Sequence, residues 1–159
     1  PNEPPPEENP MISKELTPQL HVASQITVAD VKQAAAEGFT AIINNRPDGE
    51  ESGQPPAAEI EVAAKAAGLA YIHQPVVGSN IADADVATFG RLIEATPGKI
   101  LAHCRTGTRC TMLWVLSQAA QQSADALLAT ARRAVERTDL GELRHLRRAP
   151  RGAHPMAFF

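Results

Sequence analysis

The sequence predicts a three-layer α/β domain, a mainly parallel central sheet of four to five strands with helices on both faces. Short apolar runs alternate with helix-period patterns between Leu20 and Glu136, and turn residues punctuate them. The connections are long enough for each strand to return parallel to a neighbour through a helix. Apolar residues make up 43% and charged residues 21%, the balance of a globular chain, while aromatics at 4% require a core of small aliphatic side chains.

The elements follow in order. Leu20–Ala23 reads as a strand. Thr27-Val-Ala-Asp30 has the spacing of a capping box, after which Val28, Val31 and Ala35 share one helix face until Gly38 ends it. Thr40–Ile43 is the next strand, and Asn44–Pro56 is a polar loop rich in turn residues. Ala57–Ala67 is an alanine-rich helix, and Gly68 separates it from a strand over Ala70–Gln74. The loop Pro75–Asn80 leads to a helix carrying Val86, Phe89, Leu92 and Ile93, in which Asn80 is the expected N-cap and Asp83 the N3 acid. Pro97-Gly98 closes that helix, and Lys99–His103 is a strand. The next helix uses Leu113, Trp114, Leu116 and Ala120, and a second, separate helix spans Ala124–Glu136.

A net charge of −3 gives no reason to expect nucleic-acid binding. No apolar run approaches the ~20 residues that span a bilayer, and no secretory signal pattern opens the chain. Residues 1–11 read as a disordered leader, because the first ten hold five prolines and three glutamates. Residues 12–136 form the expected catalytic domain. Residues 137–159 form a basic tail, part of a stretch with seven arginines between Arg132 and Arg151. The two cysteines, Cys104 and Cys110, lie six residues apart, which is catalytic usage rather than a disulfide framework and suits a reducing, cytoplasmic setting.

The chemistry is concentrated in His103-Cys104-Arg105-Thr106-Gly107-Thr108-Arg109-Cys110, directly after the apolar Ile100-Leu101-Ala102. A strand ending in His-Cys and turning through glycine into a helix sets a thiol within backbone N–H groups at the positive end of that helix. The same field lowers a thiol pKa, so Cys104 is the expected nucleophile. Arg109 is expected to grip the anion through its guanidinium fork. Thr106, Gly107 and Thr108 complete the cradle, and Gly107 supplies a positive-φ position.

Three blocks carry a resemblance: Ala41–Glu51, Tyr71–Val76, and Ala102–Arg109 with Leu113-Trp114 behind it. Over about Ile12–Glu136 the chain resembles the beta-lactamase-hydrolase-like phosphatase-like family, a branch of the cysteine phosphatase fold. The resemblance implies a cofactor-free cysteine enzyme, with the family described both as phosphatase and as rhodanese-like sulfurtransferase, and linked to sulfide-oxidising proteins. A persulfide dioxygenase or sulfide-oxidising oxidoreductase is the partner it implies. Protein tyrosine phosphatases place five residues between the cysteine and the arginine, whereas four separate Cys104 from Arg109 here. That six-residue cradle is similar to the rhodanese loop, and a narrower ring favours a single terminal sulfur over a phosphate.

A phosphatase also needs a general acid. The loop Pro75–Asn80 contains no carboxylate. Asp83 and Asp85 follow it, each open to an acid role or to helix capping. Asp48 is a third candidate, with a turn-forming role as its alternative. Arg46 either reaches the same anion or makes a structural salt bridge, and Arg105 either steers substrate or lies on the surface. His103 is expected to orient the loop through hydrogen bonds and add positive character. Cys110 is expected to pack in the helix, or to resolve an oxidised Cys104. His21 and His73 lack ligand spacing, so no metal site is expected.

The expected function is therefore sulfur transfer through a Cys104 persulfide, from a small anionic donor such as thiosulfate or a persulfide. Hydrolysis of a phosphate ester through phosphocysteine is the alternative. A non-catalytic anion- or persulfide-binding module is the third reading.

Overall fold

The computed structural model describes residues 11–137. Five strands form one sheet: β1 (Ser13–Glu15), β2 (Leu20–Ala23), β3 (Phe39–Asn44), β4 (Ala70–His73) and β5 (Lys99–His103), ordered β1-β2-β5-β3-β4. β2, β5, β3 and β4 run parallel, and β1 pairs antiparallel with β2 at the edge. The sequence reading misses β1, because Ser-Lys-Glu carries no apolar alternation and only the partner edge defines it.

The helices are α1 (Val28–Ala36), α2 (Ala57–Ala66), α3 (Asp83–Ala95) and α4 (Thr108–Arg137). Thr27 caps α1 through the reciprocal bonds with Asp30 expected from the sequence. At α3 the cap is shifted: Ala82 is the N-cap, and its N–H donates to the Asp85 carboxylate at 2.9 Å. Asp85, not Asp83, is thus the N3 acid. The expected break before Ala124 is absent, since Gln121-Gln122-Ser123 contains neither Gly nor Pro and α4 continues as one 30-residue helix.

The chain divides into two compact units, with Ser117 ending the first and Gln118 opening the second. In the first unit, one core joins Leu20, Val22, Ala41, Ile43, Ile100 and Ala102 to Phe89 of α3 and to Cys110 and Leu113 of α4. The other joins Ile42 and Leu101 to Val31 and Ala34 of α1 and to Ile60 and Ala64 of α2. Helices therefore cover both faces, and β5, the fully flanked central strand, is buried along Ile100–His103. Truncating Phe89 to Ala in such a core costs about 3–5 kcal/mol. Leu116 and Ala120, expected to pack, are exposed. The second unit contains the remainder of α4, with Leu127, Leu128 and Val135 exposed.

Met11, assigned to the leader, hydrogen-bonds to the Gln33 side chain through its N–H at 3.0 Å. The rest of the expected leader and the tail after Arg137 lie outside the described residues. Among the described residues no helix is long and apolar enough to cross a membrane.

Candidate active site

β5 delivers the motif at the carboxyl end of the sheet, where parallel α/β folds bind ligands. The chain leaves the sheet at Cys104, turns through Arg105–Gly107 and enters α4 at Thr108. Gly107 takes φ 89°, a left-handed conformation that glycine adopts without strain, and a Cβ there would stand 3.4 Å from the Ala23 carbonyl. The segment after β2 braces the loop further, since Gln25 N–H donates to the Arg105 carbonyl at 3.2 Å.

Cys104 is 1% exposed, and its Sγ accepts the Gly107 N–H at 3.1 Å. Its pKa is lowered to about 5. The neighbouring Cys110 thiol is the largest cause; burial opposes it, and the amides of Cys110, Thr106 and Gly107 add to the lowering. Cys104 is thus a thiolate at neutral pH. Burial, with the charge on Cys104 beside it, pushes the Cys110 thiol well above its ordinary value. Cys110 fills the core as expected and is also the chief support of the thiolate.

Asn45 ties these parts together, a residue that sequence reasoning left unassigned. Fully buried, it donates through Nδ2 to the Gln74 carbonyl at 3.1 Å, and its Oδ1 lies 3.2 Å from Cys110 Sγ. Its N–H donates to the His103 carbonyl at 2.9 Å. The signal lay in the doublet Asn44-Asn45 at the end of an apolar strand, a polar pair too close to the core to be an ordinary loop.

His103 departs from expectation. It is fully buried, and neither ring nitrogen reaches a hydrogen-bond partner. Burial pushes its pKa down to about 4, against an opposing pull from the Cys104 main chain, so the ring is neutral and adds no positive charge.

The arginines divide by contact. Arg46 is 1% exposed and bonds Glu50 Oε1 through Nε at 2.9 Å, Glu51 Oε2 through Nη2 at 3.1 Å and Gln25 Oε1 through Nη1 at 3.1 Å. It makes the structural salt bridge, with each of its three nitrogens bonded within that network. Arg105 is exposed, with Nη2 3.4 Å from Glu51. Arg109 donates through Nη1 to the Val76 carbonyl at 2.9 Å, and Glu50 lies across its end with Oε2 3.2 Å from Nη1 and Oε1 3.3 Å from Nη2. Burial raises the Glu50 pKa, but hydrogen bonds from Arg46 and Arg109 outweigh it and hold the carboxyl below its usual range.

Two of the three acid candidates are occupied. Asp48 Oδ1 accepts the Ala57 N–H at the start of α2 at 2.8 Å, and Asp85 caps α3. Asp83 is exposed in the first turn of α3. Thr106 and Thr108 are exposed on the loop, their hydroxyls 3.1 Å apart, and line a groove of about 450 Å³ with Val22, Ser24 and Met112. Among the described residues no group of three or more His, Cys, Asp or Glu could hold a metal ion.

Residues 13–121 match the model of the phosphatase-like domain of beta-lactamase hydrolase-like protein. The beta-lactamase hydrolase-like protein of Agrobacterium fabrum is 44% identical over 101 residues, covering 64% of this chain and 23% of that one. The chain spans about a quarter of the length of the curated relatives it matches. A candidate phosphatase of Neisseria meningitidis, known as a crystal structure, is 44% identical with a TM-score of 0.64, over 67% of this chain and 76% of that one. Kinase associated phosphatase, with a catalytic-site cysteine, shares the fold alone: 17% identity and a TM-score of 0.56, over 76% of this chain and 84% of that one.

Proposed function

Since the chain belongs to the family of the phosphatase-like domain of beta-lactamase hydrolase-like proteins, we propose that its thiolate Cys104 transfers sulfur from a small anionic donor. Cys104 attacks the outer sulfur of thiosulfate. The new S–S bond forms as the old one breaks, and sulfite departs with the electron pair. The resulting Cys104–S–S⁻ passes its outer sulfur to an acceptor thiolate, which regenerates the Cys104 thiolate. A reducing compartment such as the cytoplasm suits this cycle, and a sulfide-oxidising partner would supply or consume its sulfur.

One observation supports this chemistry, while the family and the similar structures favour the phosphatase alternative. Glu50 and Glu51 are committed to arginines and Asp48 and Asp85 to backbone N–H groups, while Asp83 is exposed in the first turn of α3. Sulfite and thiolates leave without a proton, whereas an alkoxide leaving a phosphate ester needs one. The observation favouring phosphate-ester hydrolysis through phosphocysteine is the 44% identity to the candidate phosphatase of Neisseria meningitidis.

Two assays decide. Thiosulfate should add one sulfur, about 32 Da by intact mass, to wild type and to Cys110→Ser but not to Cys104→Ser. Turnover of thiosulfate with cyanide should exceed that of an aryl phosphate. Brisk hydrolysis of phosphotyrosine peptides, with no sulfur adduct, makes the protein a phosphatase instead.

A further inference from the structure

A guanidinium has five N–H donors and two usable forks, one between Nη1 and Nη2 and one between Nε and Nη2. Glu50 Oε1 accepts from Arg109 Nη2 at 3.3 Å, and its Oε2 lies 3.2 Å from Nη1 as an ion pair. Nη1 donates to the carbonyls of Val76 at 2.9 Å and Asn45 at 3.5 Å. What remains is the Nε–Nη2 edge, and Nε is buried without an acceptor. Gly78 lies against this edge: a Cβ there would stand 3.1 Å from Nε and 3.5 Å from Nη2. The Gly78 backbone imposes no positive φ, so clearance rather than conformation is what glycine supplies there.

We infer that Glu50 is the positioning residue of the anion site, holding Arg109 at its Nη end by an ion pair and one hydrogen bond so that its Nε–Nη2 edge grips the donor's oxyanion, with Gly78 keeping that edge clear. Arg46 anchors the device from the other side, since its Nε binds the same Glu50 oxygen at 2.9 Å. The ligand class is a tetrahedral oxyanion. The inference rests on Cys104 and Arg109 forming one anion site, and it deepens the proposed function by naming what aligns the arginine.

Charge and positioning predict opposite signs. Removing a carboxylate beside an anion site tightens anion binding by simple electrostatics. Removing the residue that aligns Arg109 weakens it. The test is protection of Cys104 from iodoacetamide by inorganic sulfate at pH 8, on the full chain, where the free thiolate reacts and sulfate is neither donor nor hydrolysable ester. The readout is thus independent of sulfur transfer or phosphatase turnover. Glu50→Gln should weaken sulfate protection, read as the ratio of its alkylation rates with and without sulfate, roughly tenfold or more. Glu50→Asp should recover part of the loss, and Gly78→Ala, on a different loop, should weaken protection roughly threefold to tenfold. Unchanged or tighter protection in folded Glu50→Gln overturns the inference, as does the absence of sulfate protection in wild type. Should Glu50→Gln fail to fold, Gly78→Ala decides alone, and unchanged protection there overturns it.

Discussion

The Sγ of Cys110 stands 3.2 Å from Oδ1 of Asn45, in the first turn of the helix that follows the Cys104 loop. One S–H proton therefore has two acceptors, the Asn45 amide oxygen and the neighbouring Cys104 sulfur. When Cys104 is ionised the charged acceptor is the stronger. Cys110 keeps its own proton, because burial holds its pKa up, and spends it on the nucleophile.

The first prediction follows from that pair. Alkylation of Cys104 should rise through a midpoint near pH 5 and level off above it. Cys110→Ala removes the largest cause of the lowering, so its midpoint should move up. Mass-resolved alkylation rates across pH 4–9 measure both, and an unmoved midpoint would show that the loop amides carry the shift.

His103 gives a second, of opposite chemical type. Its folded pKa is near 4, below the ordinary 6.5, so the folded state resists protonation more than the unfolded chain does. The His103 contribution to stability should be full above pH 6.5 and be lost as pH drops towards 4, by on the order of 3 kcal/mol. Urea titrations at several pH values should show this slope, and His103→Gln should flatten it.

Asp48→Asn and Asp85→Asn each weaken a helix N-terminus. Each should lower stability by about 0.5–2 kcal/mol and leave the rate of Cys104 turnover unchanged. A rate collapse in either variant, with stability intact, would identify a general acid and favour phosphate chemistry.

Arg46 and Arg105 share Glu51 but differ in burial. Arg46→Ala leaves Glu50 without its buried partner and should destabilise the fold by about 3 kcal/mol. Arg105→Ala should cost under about 1 kcal/mol and lose even that in high salt. Melts of both variants at two salt concentrations test the division.

The sequence by itself determined most of the fold, because local signals and global topology agree. Apolar runs over Leu20–Ala23 and Lys99–His103 are central parallel strands, and Thr27 with Asp30 caps α1. It also located the thiolate, since a cysteine between a buried strand and a glycine turn lies among backbone N–H groups that favour its ionised form. The edge strand β1 and the single long α4 were less legible, because pairing in the first case and the lack of a breaker in the second outweigh weak periodicity. Only the tertiary structure decided which charged side chain does what. Arg46 and Arg109 look equivalent in sequence, yet Glu50 binds both, one fully buried as a strut and the other with an Nε that has no acceptor. The physical reason is that strand and helix signals act over a few residues, whereas the partner of a guanidinium is set by side chains up to 59 residues away.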